Sequence, residues 1–313
     1  MHVLGIDAGG TKTVCLLADA RGSIVSEERG PGANLHVAGK RGVESVLRDV
    51  MQRAIGDRAI APAAICVGIA GVDRDDEART VRAIIQRIAH DARVLVVNDA
   101  LIALVAGAGD APGVVVIAGT GSIVYGRNAA GEAARAGGWG HMVGDEGSGY
   151  WIGREAVAAV MRGADGRGPA TRLAGEILAH FRVADVSRLP RIVYDREVPR
   201  MSVGALGPIV QRVAEEGDAV ARRILERAAE ELVLAARSVT TRLEMRGDSF
   251  TFYLAGGVFQ GVPSLGEELT RRLVEVAPRS QVQTLTEQPA VGAVWLALAE
   301  ARGAARVPRY RTA

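Results

Sequence analysis

A short apolar strand, a turn rich in glycine and threonine, and a second apolar strand occur twice in this chain, and this unit limits the folds open to it. The first copy is VLGI (3–6), DAGGTKT (Asp7 to Thr13) and VCLLADA (14–20). The second is GVVVIA (113–118), AGTGS (Ala118 to Ser122) and SIVYGRN (122–128). Short apolar runs bounded by turn residues read as buried strands. Between the copies the period alternates. Ser23 to Arg29 continues as a strand, and Val43, Val46, Leu47, Val50, Met51 and Ala54 recur at helical spacing. AICVGIAG (64–71) is a buried strand, Val81, Ile84, Ile85 and Ile88 mark a helix, RVLVVND (93–99) is a strand, and Ala100 to Ala108 is an apolar helix. A hairpin followed by alternating strands and helices predicts a mixed sheet covered on both faces. Only 4% of residues are aromatic, so the core is expected to be aliphatic. The repeated opening predicts a duplicated architecture.

GDAPG (109–113) is turn chemistry and marks a boundary. The second half is more helical. One helix is expected after Gly149, others near 169–181 and 203–216, and a long one over about 218–245. Along the long one Val220, Ile224, Leu225, Ala228, Leu232, Ala235 and Val239 share a face. FTFYLAGG (250–257) is a strand ending in paired glycines, VQTLT (282–286) a last strand and PAVGAVWLALAEA (289–301) a last helix. Arg306 to Ala313 is expected to be a loose tail. We therefore expect a smaller domain of 1–109 plus 289–313, to which the last helix returns, and a larger domain of 110–288.

With 313 residues the chain suits one large domain or two medium ones. Its 38 basic and 36 acidic residues give a net charge of +2, and no basic block is long enough for a nucleic-acid arm. Cys15 and Cys66 each lie in an apolar run, which predicts core residues and disfavours metal, iron–sulfur and disulfide roles. That fits a reducing cytoplasm. The N-terminus opens into a strand rather than a signal peptide, and no run approaches the roughly 20 apolar residues of a membrane span.

The segment GGWGHMVGDEGSGYWIG (137–153) places seven glycines, two acids, a histidine, two tryptophans and a tyrosine in seventeen residues. Glycine loses the most backbone entropy on ordering, so such a stretch is expected where the backbone approaches a small ligand. The two turns point the same way. Gly9, Gly10, Thr11, Lys12 and Thr13, and then Gly119, Thr120, Gly121 and Ser122, offer backbone N–H groups and hydroxyls to phosphate. Gly256 and Gly257 in AGG end another buried strand and suit close approach by a base or ribose. Any one of these also reads as a plain turn; three together favour a nucleotide. Asp7, opening the first turn, suits Mg2+ held through water. Neither a GxxxxGK[ST] loop nor a GxGxxG turn is present, which disfavours P-loop and dinucleotide enzymes.

Asp99 ends a buried strand where a helix begins. It reads either as a proton acceptor or as the helix N-cap. Asn34 in PGANLHV is a turn residue or an amide facing hydroxyls. Asp145 could bind hydroxyls or cap the following helix. His141 is a substrate contact or a structural histidine, Glu146 a supporting residue, and Trp139 and Trp151 read as packing residues.

The DxGGT turn, AGTGS and AGG resemble the sugar kinase and actin superfamily of ATPases. Within it, GGWGHMVGDEGSGYWIG looks very like the N-acetylglucosamine kinases of the BadF/BadG/BcrA/BcrD ATPase family, and the match runs in order along nearly the whole chain. The resemblance implies two ribonuclease H-like (actin-like ATPase) α/β domains, each a mixed sheet flanked by helices, with an interdomain cleft. It implies ATP and Mg2+, with the γ-phosphoryl group passed to the 6-hydroxyl of N-acetylglucosamine or a close relative such as glucosamine or N-acetylmuramic acid. It places the catalytic base on Asp99. Sugar contacts would fall on Asn34, Asp99, Gly138, Trp139, Gly140 and Asp145, and nucleotide contacts on Gly10, Thr11, Lys12, Thr120, Gly121, Gly256 and Gly257. Asp7 stands where animal members carry glutamate, and the shorter acid suits the same ion. Relatives are commonly homodimers. Two other functions fit the sequence less well. Dehydratase activators of the same family need cysteines for an iron–sulfur cluster between subunits, and sugar-responsive repressors need a DNA-binding domain ahead of a first strand that here begins at residue 3.

Overall fold

The computed structural model describes residues 1–72, 75–195 and 200–311. Contacts divide the chain into two compact units. One holds Met1–Val115, Tyr125–Ala133 and the stretch from Thr284 onward, and the other holds Val116–Val124 and Ala134–Gln283.

The first unit opens with β1 (His2–Ala8), β2 (Lys12–Asp19) and β3 (Ile24–Pro31), then α1 (Leu35–Ile55), β4 (Ala64–Ile69), α2 (Asp75–Ile88), β5 (Arg93–Asn98) and α3 (Asp99–Ala108). Its sheet runs β3-β2-β1-β4-β5. The β1–β2 and β2–β3 pairs are antiparallel, with a bulge at Leu17/Ala18, whereas β1–β4 and β4–β5 are parallel. Register pairs Asp7 with Gly68 and Ile69 with Asn98, so the carboxyl ends of all three parallel strands emerge at one edge. β4 is buried along its whole length, as a central parallel strand must be. Leu4, Ile6, Leu17, Leu47, Met51, Ile65, Ile69 and Ile85 form an aliphatic core. Cys15 and Cys66 are free and buried, and burial is the main cause pushing both thiols up, so neither is a thiolate.

The chain continues with β6 (Gly113–Ala118), β7 (Ser122–Arg127), β8 (Glu132–Gly137), α4 (Gly149–Ala164), α5 (Leu173–Phe181), α6 (Leu189–Tyr194), α7 (Arg200–Gly204), α8 (Gly207–Glu215), α9 (Ala219–Arg242), β9 (Thr251–Ala255), α10 (Val258–Gly261), α11 (Pro263–Val276) and β10 (Gln281–Thr284). Then come α12 (Pro289–Ala301) and β11 (Arg309–Tyr310). The six-stranded sheet runs β10-β9-β6-β7-β8-β11. The buried Arg127 closes the GDAPG turn, its Nη2 donating to the carbonyls of Gly109 at 2.5 Å and Ala111 at 2.7 Å.

Two sequence expectations are corrected here. The helix expected over 203–216 is two helices, because Pro208 has no N–H and its ring would strike the carbonyl of Gly204. The tail from Arg306 is not loose throughout. Arg309 and Tyr310 pair in parallel with Glu132 and Ala133 of β8, and Tyr310 meets Tyr125 edge-on at 6.0 Å. Residues 312 and 313 of that expectation lie outside the described residues.

α12 packs on the first unit through glycine contacts. A Cβ on Gly5 of β1 would stand 2.4 Å from the Val294 nitrogen, and one on Gly292 would stand 2.0 Å from the Ile102 carbonyl oxygen. Gly68 of β4 likewise leaves room for the Ile102 side chain. Gly68 and Gly292 therefore hold α3 close from two sides, and this fixes where its first residue, Asp99, stands.

Candidate active site

In the first unit the candidate site residues gather at the carboxyl edge of the parallel strands. Asp7 lies one residue from the end of β1, and the turn after it closes with Gly9 N–H donating to the Lys12 carbonyl at 3.0 Å. Gly10, Thr11 and Lys12 are exposed, and a Cβ on Gly10 would meet nothing within 4 Å. The PGAN segment runs directly over this turn. A Cβ on Gly32 would stand 2.3 Å from the Gly10 carbonyl oxygen, and the Ala33 N–H donates to the Gly9 carbonyl at 3.1 Å. Asn34 is thereby held beside the turn, its carbonyl accepting from Val37 and Ala38 in the first turn of α1. Sequence reading had found Asn34 but not Gly32, whose absent side chain permits the approach.

Asp99 is the first residue of α3 but not its cap. Asn98 caps the helix, its Oδ1 accepting from the Ala100 N–H at 2.9 Å. The capping alternative for Asp99 is therefore set aside. Asp99 and Asp7 are close enough to interact. Burial first, then the charge of Asp99, pushes the Asp7 carboxyl up to about 7, against the opposing charge of Lys12.

This shift gives a pH-dependent prediction for the metal-free protein. Between about pH 4 and 7 the folded state keeps a proton on Asp7 that the unfolded chain has released. Stability therefore falls as pH rises through that window, and the penalty is complete above it. Asp7→Asn should raise stability at pH 8 by on the order of 2 kcal/mol, a figure discounted for the residual solvent access of Asp7. It should leave stability unchanged at pH 4. Urea denaturation in EDTA at the two pH values reads this out; equal stabilisation at both would refute it.

In the second unit three separate motifs meet. The AGTGS turn closes with Gly119 N–H to the Gly121 carbonyl at 2.8 Å, and the Gly149 N–H at the start of α4 donates to the Gly119 carbonyl at 2.9 Å. The Asp145 carboxylate accepts from Gly140 N–H at 3.3 Å and from the Ser122 backbone, and it lies against the Cα of Gly121. Ser122 Oγ donates to the Glu146 carbonyl at 2.7 Å, and the Gly138 N–H donates to the Ser122 carbonyl at 2.9 Å. Gly256, with φ +108°, passes so near that a Cβ would stand 2.2 Å from the Ala118 carbonyl oxygen. Ala118, Thr120, Gly121, Gly138, Gly140, Asp145 and Gly256 thus share one locality, with Gly257 next to it.

Asp145 is only 8% exposed and sits at φ 59°, a left-handed conformation that aspartate tolerates better than most residues. Burial raises its pKa, against the hydrogen bonds from Ser122 and Gly140 and the charge of Arg200. It is not the cap of α4; Ser148 is, accepting from the Trp151 N–H at 3.2 Å. Trp139 does not pack as expected: it is 65% exposed, with the Arg135 guanidinium 4.6 Å over its ring. Trp151 is buried beneath Arg227. His141 stands edge-on to Tyr150 at 5.2 Å, its pKa pulled below the usual value by burial, then by Arg200 and Arg154. Sequence reading had not singled out Arg135, Arg200, Ser122 as a bridge or Ser148; all are ordinary residue types whose roles come from contacts.

The described residues contain no group of three or more His, Cys, Asp or Glu placed to hold a metal. The Asp7–Asp99 pair nonetheless fits Mg2+, an ion that takes one or two carboxylates and completes its shell with water and phosphate. Its charge would offset the repulsion that raises Asp7.

Two mixed sheets flanked by helices, each served by a glycine–threonine turn, define the actin-like ATPase class to which sugar kinases belong. The chain is a member of the BadF/BadG/BcrA/BcrD ATPase family, whose model matches residues 4–297. It is 35% identical over 303 residues to the N-acetylmuramic acid/N-acetylglucosamine kinase of Clostridium acetobutylicum, covering 96% of this chain and 99% of that one. It is 31% identical over 309 residues to the N-acetyl-D-glucosamine kinase of Dictyostelium discoideum, covering 94% and 97%. A candidate N-acetylglucosamine kinase of solved structure from Chromobacterium violaceum superposes with a TM-score of 0.76 at 26% identity, covering 95% and 98%. No helix among the described residues is long and apolar enough to cross a membrane.

Proposed function

We propose that this chain is an ATP-dependent kinase that passes the γ-phosphoryl group to the 6-hydroxyl of N-acetylglucosamine or a close relative. The near full-length likeness to the Clostridium acetobutylicum kinase carries the reading. The freeing of Asp99 from a capping role supports it. Asp99 would orient the sugar hydroxyl and accept its proton. The transition state of phosphoryl transfer is loose, so positioning matters more than basicity. Asn34, the Gly138-Trp139-Gly140 backbone and Asp145 would hold the other hydroxyls. The N–H groups and hydroxyls around Gly10, Thr11, Lys12, Thr120 and Gly121 would donate to the phosphates, with Gly256 and Gly257 lying against the nucleoside. Mg2+, held near Asp7 through water, would supply positive charge to the phosphates. We assign a cytoplasmic homodimer, with a free sugar as partner and no nucleic acid or membrane. The domains would be 1–109 with 289–313, and 110–288.

The test is ADP release with N-acetylglucosamine, N-acetylmuramic acid, glucosamine, N-acetylmannosamine and glucose as acceptors, the product's phosphate placed by NMR. Turnover should be fastest on an N-acetylated hexosamine, with the phosphate on C6. Sugar-independent ATP hydrolysis, or a phosphate elsewhere on the ring, would overturn the reading.

A further inference from the structure

Thr13 ends the DAGGTKT turn, and its place in the sequence predicts a hydroxyl offered to phosphate. The structure commits that hydroxyl elsewhere. Thr13 is fully buried, whereas Thr11 and Lys12 before it are exposed. A hydroxyl has one proton to donate, and a buried one donates it to a protein partner. Thr13 Oγ1 donates to the Pro31 carbonyl at 2.8 Å. Only lone pairs remain on that oxygen, and these repel a phosphate oxygen.

Pro31 is the last residue of β3, where Lys12 pairs with Pro31 and Thr13 with Gly30. The chain leaves the sheet there and reaches Asn34 three residues later. On the way it is fastened to the turn twice more, by Gly32 against the Gly10 backbone and by the Ala33 N–H on the Gly9 carbonyl. Ala33 is itself a core residue, and Leu35 and Ala38 pack against the same core. Beyond them Gly39, at φ 65° and ψ 172°, interrupts α1. The helical turn that starts at Asn34 is therefore placed by this strap and its core contacts rather than by the rest of α1. Loss of the Thr13 hydrogen bond would loosen the strap at its origin and leave Gly10 and Thr11 as they are.

We propose that Thr13 is a positioning residue for the sugar and not a phosphate ligand. Its hydroxyl fixes Pro31, and through Gly32 and Ala33 it sets where the half-buried Asn34 presents its amide. This rests on the kinase reading above, in which Asn34 holds a sugar hydroxyl. A residue of the phosphate turn thus governs affinity for the acceptor and leaves affinity for the nucleotide alone.

The experiment compares the full chain with Thr13→Val, Thr13→Ala and Thr13→Ser. Calorimetric titration without nucleotide gives the Kd for N-acetylglucosamine, and ADP release gives KM for ATP. Thr13→Val should weaken sugar binding roughly 5- to 30-fold, the scale of one misplaced polar contact, while KM for ATP stays within about twofold. Thr13→Ser keeps the hydroxyl and should bind the sugar within about twofold of the wild type. Thr13→Ala sets no methyl against the Pro31 carbonyl and repeats the test if the valine variant does not fold. In an Asn34→Ala background Thr13→Val should weaken binding less than about twofold further, because the amide it positions is already gone. Unchanged sugar affinity in the valine and alanine variants overturns the proposal and leaves Thr13 a purely structural residue. A KM for ATP raised as much as the sugar Kd overturns it too, and returns the hydroxyl to the phosphates. A full further loss in the Asn34→Ala background overturns the route through Asn34. In all three cases wild-type turnover leaves the kinase reading standing. A wild type that phosphorylates no amino sugar removes that reading and this inference with it.

Discussion

Asp99→Asn should lower kcat by roughly 1,000-fold while sugar binding stays within about threefold, the scale expected for loss of a positioned proton acceptor. The variant is a fair test because the cap and the packing that hold α3 come from other residues. Asn98 supplies the cap of α3, and Gly68 and Gly292 hold that helix by contacts with Ile102, none of which the substitution touches. The asparagine has nearly the same shape, and it keeps one acceptor for the sugar hydroxyl. A second readout comes free: removing the Asp99 charge should lower the pKa of Asp7, because that charge is one of the causes raising it. Steady-state ADP release with calorimetric titration of the sugar separates the two effects. A variant that keeps more than about a tenth of the wild-type rate would take the proton-acceptor role away from Asp99.

Gly256→Ala should destabilise the protein by about 2–4 kcal/mol and raise KM for ATP at least tenfold. Two costs add. At φ +108° an L side chain is strained whatever surrounds it, and the new methyl would stand 2.2 Å from the Ala118 carbonyl oxygen and 2.6 Å from its carbon. Those are backbone atoms at the start of the AGTGS turn, so they cannot swing aside as a flexible side chain would. The turn itself must move. Gly257→Ala is the control: its φ of −69° is ordinary and its Cβ would meet nothing within 4 Å, so stability should change by less than about 0.5 kcal/mol. Thermal melting of both variants, with ATP titrations, decides the matter. Equal melting temperatures for the two would show that the close approach at Gly256 carries no strain.

Much of the fold was legible because period and turn chemistry agreed. AICVGIAG and the VLVV run of RVLVVND are apolar; they became the parallel strands β4, buried throughout, and β5, buried from Leu95 on. PAVGAVWLALAEA became α12 with the same ends. The elements passed over have two different explanations. β8, EAARAG, lacks β-branched residues and alternation, and is a strand only because its neighbours pair with it. α11 carries Leu265, Leu269 and Leu273 at four-residue spacing, all buried, so its signal was present and went unread. The tail shows the opposite limit, for nothing in VPRYR announces a strand until β8 offers an edge.

The candidate site divides the same way. The sequence alone determined which residue types were brought to each turn, because a glycine-rich stretch with threonines and aspartates has few physical uses: the entropy lost on ordering it must be recovered by some close approach. It could not say which approach. Gly149 and Gly153 serve a neighbouring helix, while Gly256 serves a neighbouring turn. Nor could it separate base from cap at Asp99, since both roles favour aspartate at the end of a strand. The tertiary structure decided these points through contacts between residues far apart in the chain. Asn98 took the cap, Ser148 freed Asp145, and Asp145 then tied Gly140 to the turn at Ser122. Hydrogen bonds and van der Waals contacts act over a few ångströms of space, and only the folded chain sets which residues come within that range.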